Sequence, residues 1–226
     1  MGRPNGGILT IYIDCVSPYS WYGFTNTLRF RNLLIAHGVS VEILPFFLGG
    51  ARDSVGNPYS PTPTWKEAFA SQDSKVTGEI LGLKIVPPKI FPISSLFPVR
   101  VATWIKDNYP SEKFEATFEA LVRGYWSKGI NVSTPEGVIE ALDGIFPVEE
   151  IKGIMQKALT PENKKRVIDL TTSTKAFGAP WIVAVNGDGE KKEYFGNDRW
   201  DQVFYHLGVP YTPTSIIPPH GVKSKL

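Results

Sequence analysis

Cysteine is almost missing from this chain: Cys15 is the one thiol in 226 residues. A single cysteine cannot close an internal disulfide or run a dithiol cycle, and it fits a reducing intracellular compartment. The three histidines, His37, His206 and His220, are scattered and show no ligand spacing, so no metal site is expected. No apolar run approaches the roughly 20 residues of a membrane-spanning helix, and the opening Met1-Gly2-Arg3-Pro4-Asn5-Gly6-Gly7 lacks the apolar core of a signal peptide. Charge of one sign is not in excess either. The 24 Lys and Arg stand against 22 Asp and Glu, a formal +2, and no basic run is interleaved with aromatics, so nucleic acid is not an expected partner. There is no glycine-rich phosphate cradle. Small molecules remain as the expected partners of a soluble protein.

What the chain has is ordinary globular material: 42% hydrophobic residues, 20% charged, six tryptophans and thirteen phenylalanines, enough for one large core. Its organising stretch is Ile8 to Tyr22. An apolar, β-branched run ends in Ser17-Pro18, which opens an amphipathic segment running to His37 and Gly38. A buried strand therefore feeds a helix with Ser17 at its N-terminus, where free backbone N–H groups and the helix macrodipole suit an anion or a thiolate. Trp21, Phe24, Leu28 and Ile35 form its apolar stripe. Val41 to Leu48 reads as a second strand, and Pro45 implies an edge or a bulge because proline cannot donate to the ladder. The resulting β-α-β unit leaves the carboxyl end of the first strand, beside Ser17, as the expected ligand crevice.

Gly49 to Pro63 is rich in Gly, Pro, Ser and Asn and reads as an ordered surface loop. Helical patterns follow without interruption. Trp65, Phe69, Val76 and Ile80 share one face of a helix stopping near Gly82; a proline-broken segment covers Val86 to Pro98, and Val99 to Asn108 is a further helix. Ser111 is placed to cap a helix with the face Phe114, Phe118, Leu121 and Tyr125. Thr134-Pro135 opens another through about Ile145, and Pro147 to Ala158 and Pro161 to Ala176 complete the array. Then the period switches. Trp181 to Val185 is a buried strand, Asn186-Gly187-Asp188-Gly189 a hairpin signal and Lys192 to Phe195 its partner, with a last helix from Asp198 to Leu207 closed by Gly208.

The order β-α-β, helical block, β-β-α is that of an α/β, thioredoxin-like fold with an all-helical insertion, as in the DsbA-like group. The expected division is a discontinuous thioredoxin-like domain, 1–63 and 177–226, around a helical insertion, 64–176. Redox members of that fold open the first helix with C-P-x-C; here the place is taken by Ser17-Pro18-Tyr19-Ser20. Hydroxyls cannot exchange disulfides, so the thiolate that this helix terminus favours must come from a substrate. Together, D-x-x-S-P-Y-S-W from Asp14, F-G-A-P-W from Phe177 and F-G-N-D-R from Phe195 resemble the kappa-class glutathione transferases, which share a superfamily with the 2-hydroxychromene-2-carboxylate isomerases.

That resemblance implies glutathione as co-substrate, no metal, an electrophilic or peroxide second substrate, and a homodimer. It implies that Ser17 is the catalytic serine, donating a hydrogen bond to the glutathione sulfur, with Pro18 and Tyr19 forming the helix terminus beside it. It also implies a cis Pro180, preceded by Ala179 whose backbone meets the tripeptide, with Asn197 and Asp198 at the γ-glutamyl end and Asn57 and Lys66 as further glutathione contacts. A glutathione-dependent isomerase of the hydroxychromene-carboxylate type and a non-catalytic glutathione or lipid carrier are the alternatives. Finally, Ser224-Lys225-Leu226 is the tripeptide read by the peroxisomal import receptor, so the peroxisomal matrix is the expected location, ahead of the mitochondrion.

Overall fold

In a computed structural model of the protein, residues 6–60 and 63–213 are described. The Ser224-Lys225-Leu226 tripeptide lies outside them. Alternation in the first strand sets the layout. In β1 (Gly7–Ile13) the side chains of Leu9, Ile11 and Ile13 are fully buried and those between them only half so, the period-two signature of a sheet with one face in the core. The chain crosses through α1 (Pro18–Ala36) to β2 (Val39–Pro45), which pairs parallel with β1 from Gly7↔Val39 to Ile13↔Pro45. Six helices follow: α2 (Leu48–Ser54), α3 (Thr64–Ile80), α4 (Leu96–Asn108), α5 (Ser111–Lys128), α6 (Pro135–Leu142), α7 (Val148–Ala158), and then α8 (Pro161–Thr172) makes a seventh. β3 (Trp181–Asn186) returns antiparallel to β1, β4 (Lys191–Phe195) pairs antiparallel with β3, and α9 (Trp200–Leu207) ends at Gly208 with φ 70°. The sheet order is β2-β1-β3-β4, so Pro45 ends the ladder of an edge strand, as its missing donor requires.

Several boundaries differ from expectation. The second strand stops at Pro45 rather than Leu48, and the expected loop from Gly49 begins as a helix. Gly49 and Gly50 are needed within this helix because the Phe47 ring lies against them: a Cβ would come within 2.7 and 2.9 Å of that ring. In α1 the buried residue of the last turn is Leu34, while Ile35 faces solvent at 55% exposure. Helix α4 starts three residues earlier than read and α6 ends at Leu142 rather than Ile145. Ser111 caps nothing; Pro110 occupies that place. Thr134 and Thr160 do cap their helices, accepting from Gly137 N and Asn163 N.

One continuous core joins the sheet to the helices between β2 and β3. It runs from Leu9, Ile11 and Ile13 through Phe24 to Phe114, Phe118, Leu121, Ile151 and Ile154, with the Phe24 and Phe118 rings 4.9 Å apart. At its rim Arg31 of α1 holds Glu115 of α5 in a bidentate ion pair. No helix among the described residues is long and apolar enough to cross a membrane.

Glycine also has a packing role inside α1. Gly23 of α1 lies under the Pro180 ring: a Cβ there would sit 2.8 Å from Pro180 Cγ and 3.1 Å from Ile11 Cδ1, and neither neighbour has room to move in a close-packed interior. Gly23→Ala should therefore destabilise by about 1–3 kcal/mol, the usual cost of overpacking, despite the better helix propensity of alanine. For a chain of this length that is a melting-temperature drop of several degrees; an unchanged or raised melting temperature would refute the close contact.

Candidate functional site

At the carboxyl end of β1 the chain turns into α1 through Asp14, Cys15 and Val16, and this turn is fastened from four sides. The fully buried Asp14 carboxylate accepts Val16 N–H at Oδ1 (2.9 Å), and at Oδ2 it accepts Leu48 N–H (2.9 Å) and the Ser95 hydroxyl (2.6 Å). Asp14 N–H donates to Ser20 Oγ (3.1 Å), Ser17 N–H donates to Asp14 O (3.2 Å), and Trp126 Nε1–H reaches Val16 O (3.0 Å). Burial pushes the Asp14 carboxyl above its ordinary value, while the donors from Ser95, Val16 and Leu48 pull it back. Cys15 is buried too. Desolvation raises its thiol well above the usual range and the neighbouring Asp14 charge adds to this, so it is not an available nucleophile.

Held this way, Ser17 takes the extended conformation of an N-cap (φ −93°, ψ 121°), and its Oγ accepts Ser20 N–H at 3.2 Å. Pro18 occupies the first helical position and no acidic residue sits in the first turn, so the positive end of α1 is not neutralised by its own helix. Ser17 is only 7% exposed. Its hydroxyl hydrogen has no acceptor among the described residues, which leaves a donor aimed from a positively polarised helix end.

Beside this helix start lies a cavity of about 310 Å³ lined by Tyr19 and Tyr22 of α1, Asp73 and Thr77 of α3, Ala179, and the Phe195 to Asp198 turn. The Ala179-Pro180 peptide is cis, both residues are buried, and Gly196 N–H bonds to Pro180 O (3.0 Å), joining the two turns that form this wall. Helix α3 is turned inside out relative to a core helix. Phe69 and Ile80 are 69% and 77% exposed, whereas Ser74 is buried against Tyr22 of α1 and Gly78 against Leu83 and Ile85. The apolar repeat marks a face, as read from the sequence, but that face points outward. The polar side is inward because it satisfies two phenols, one half-buried and one buried: Tyr19 OH donates to Asp73 Oδ2 (2.9 Å) and Tyr22 OH to Ser74 O (2.7 Å). Burial, then the Asp73 carboxylate, raises the Tyr19 phenol far above its ordinary value, so it stays a donor at neutral pH.

Of the residues singled out from the sequence, Tyr19, Ala179, Asn197 and Asp198 line this one cavity. Ser17, Pro18 and Pro180 belong to the adjoining turns but are not among its lining. Asn57 and Lys66 are also outside it: Asn57 Nδ2 donates to Phe177 O (3.1 Å), bracing the segment before Ala179, and Lys66 is exposed on the first turn of α3. The final helix begins at Trp200, not at Asp198, and its N-cap position is Arg199. Asn197 is therefore not a cap. Its Oδ1 accepts Asn26 Nδ2–H (3.1 Å) and Trp200 Nε1–H (3.3 Å), contacts that pull the turn onto α1, while Asp198 is 73% exposed along its side chain beside Arg199. Sequence reasoning missed Tyr22, Asp73, Thr77 and Phe195 as lining residues, and Asp14 as the fastening. Only Asp14 left a signal, a carboxylate at the end of a largely apolar strand, where an acid is rarely buried without partners.

The sequence matches the DSBA-like thioredoxin domain family over residues 8–208. It is 27% identical over 207 residues to glutathione S-transferase kappa 1 of Homo sapiens, covering 88% of this chain and 89% of that one. It is 27% identical over 223 residues to glutathione S-transferase kappa 2 of Caenorhabditis elegans, covering 92% and 95%. Among solved structures, a 2-hydroxychromene-2-carboxylate isomerase superposes with a TM-score of 0.66 at 18% identity, covering 89% of this chain and 94% of that chain.

The Asp14 fastening yields a test. Asp14→Asn replaces one acceptor oxygen by an NH2 that faces a donor, and a buried donor left unpaired costs about 1–3 kcal/mol, readable in urea unfolding. The native carboxyl titrates above its unfolded value of 3.8, so the folded state holds this proton more tightly. That contribution is complete below the unfolded value and is lost as pH rises through the native one. The stability gap between wild type and Asp14→Asn should thus shrink as pH rises above the unfolded value of 3.8; a gap that widens as pH rises would mean that the native carboxyl titrates below, not above, its unfolded value.

Proposed function

The chain belongs to the DSBA-like thioredoxin domain family, and on that premise we propose that it is a glutathione transferase of the kappa type in which Ser17 holds the bound glutathione sulfur as thiolate. The observation that carries this reading is the uncommitted Ser17 hydroxyl hydrogen at an acid-free helix start. Sequence likeness to two kappa-class relatives supports the substrate. The chemistry of the chain supports it independently: with Ser17 and Ser20 in the places of a cysteine pair and Cys15 buried, the reacting sulfur has to arrive with a ligand.

In this mechanism the cavity beside α1 takes the tripeptide. The backbone at Ala179 pairs with it as an added strand would, and the turn at Asn197 and Asp198 takes the γ-glutamyl end, the Asp198 carboxylate facing its ammonium group. Asn57 and Lys66 do not line that cavity. The sulfur loses its proton to solvent, accepts the Ser17 O–H hydrogen bond and attacks an electrophilic carbon or a peroxide oxygen. The bond to the leaving group breaks as the sulfur bond forms, and the electron pair departs with that group.

Magnitudes assign the larger share to the hydroxyl. A hydrogen bond to a charged group is worth about 1.5–3 kcal/mol, or about 1–2 pKa units, against typically 0.3–1 kcal/mol for a helix terminus. Ser17→Ala should therefore raise the pKa of bound glutathione, followed by thiolate ultraviolet absorbance, by about 1–2 units toward the free value of about 8.5. A residual depression from the helix end should persist. At neutral pH the turnover of an activated aromatic halide should fall roughly tenfold or more, while S-methylglutathione, which has no thiol to ionise, should bind both proteins alike. An unshifted pKa in the wild type despite saturable binding would overturn the mechanism in favour of a carrier. Recovery of all glutathione unchanged after turnover would indicate an isomerase instead.

A further inference from the structure

A second cavity, of about 170 Å³, opens on the other side of the Asp14 fastening, between α2, α4 and α8. Its floor is apolar, from Phe47, Leu96, Val167 and Ile168, and its charged lining is Arg100 of α4 and Lys164 of α8. No carboxylate lines it. These two cations stand out from their neighbours. On α8, Lys165 pairs with Asp169 and Arg166 with Asp107; on α4, Lys106 pairs with Glu42. Arg100 and Lys164, by contrast, have no acceptor for their side chains among the described residues, and Arg100 Nε is buried with its hydrogen unpaired. A buried guanidinium N–H without an acceptor is costly and uncommon, and two unneutralised cations on one small, largely apolar cavity raise that cost. Thr171 Oγ1 adds polarity at the edge: it accepts Phe47 N–H at 3.1 Å, which leaves its own hydrogen to donate.

We propose that this cavity binds a small organic carboxylate, its head between Arg100 and Lys164 and its short apolar body on Phe47, Leu96 and Val167. The carboxylate supplies the acceptors that the guanidinium and ammonium lack, and its bidentate fit to arginine is the strong form of that pairing. Size narrows the class further. The cavity, about 170 Å³, is small, which points to a short-chain acid, and butyrate serves as the probe. The site is independent of the proposed glutathione crevice, which shares none of its lining residues.

The test is a ligand-observed NMR titration of the full-length protein with butyrate, with n-butanol as the uncharged body and inorganic phosphate as the bare anion. Saturable butyrate binding is expected, at least tenfold weakened in Arg100→Gln and in Lys164→Gln. Arg100→Lys should retain more affinity than Arg100→Gln, and melting temperature and circular dichroism should show each variant folded. Butanol and phosphate should each bind at least tenfold more weakly than butyrate. Absence of saturable butyrate binding, equal binding by wild type and both glutamine variants, or phosphate or butanol binding as tightly as butyrate would each overturn the assignment. Glutathione binding is measured on the same variants and is expected to be unchanged, so failure here and failure of the transferase reading are separable.

Discussion

A buried carboxylate at the end of the central strand is the constraint on which the rest of the structure rests. Asp14 binds the start of α1 through Val16 N–H, the start of α2 through Leu48 N–H and the start of α4 through the Ser95 hydroxyl. Three segments far apart in the sequence thus meet on two oxygen atoms. Burying a charge without partners would cost several kcal/mol; three donors at 2.6–2.9 Å offset most of that, and the raised titration of the group shows that desolvation still outweighs them. The gain is positional. With the turn fixed at both ends, Ser17 has one conformation to offer, and the first turn of α1 is presented to the crevice in a fixed direction.

The parts of this arrangement that are local were legible in the sequence. β1, α1, the Ser17 cap with Pro18 behind it, the Thr134 and Thr160 caps and the Asn186 to Gly189 hairpin all depend on residues within a few positions of one another. The parts that failed to show are those decided by distant contacts. Gly49 and Gly50 look like loop residues until the Phe47 ring is placed against them, and only then does α2 make sense. The stripe Phe69, Val76 and Ile80 gives α3 its period but not its direction. Orientation is decided by Tyr19 and Tyr22, whose hydroxyls need acceptors and find them on the polar side. The start of α9 slipped by two residues because Asn197, a good cap by type, spends its carbonyl on Asn26, 171 positions away.

Charge is sorted across the same knot. The crevice beside α1 carries the carboxylates of Asp73 and Asp198 together with the positive helix end, whereas the cavity between α2, α4 and α8 carries only the cations Arg100 and Lys164. In the proposed mode the ammonium group of the tripeptide would meet the first cavity's carboxylates and its thiolate the helix end. A simple carboxylate suits the second. Phe47 and Leu96, which line the second cavity, each adjoin a residue that donates to Asp14, namely Leu48 and Ser95, so the two cavities abut a single rigid element and not two separate scaffolds.

The two hydroxyls of the S-P-Y-S turn differ in how far the fold commits them. Ser20 Oγ accepts the Asp14 N–H and is fully buried, so its position is fixed by the strand end. Ser17 Oγ accepts the Ser20 N–H, which aligns the oxygen along the helix start and leaves its hydrogen unspent. A cysteine at the same place would bring its own thiolate, with the helix terminus lowering its pKa. A serine brings a donor instead, complementary to a thiolate that belongs to another molecule. In the proposed mechanism the exchange of sulfur for oxygen would keep the electrostatics of the helix start and reverse its role, from holding the reactive sulfur to recognising one.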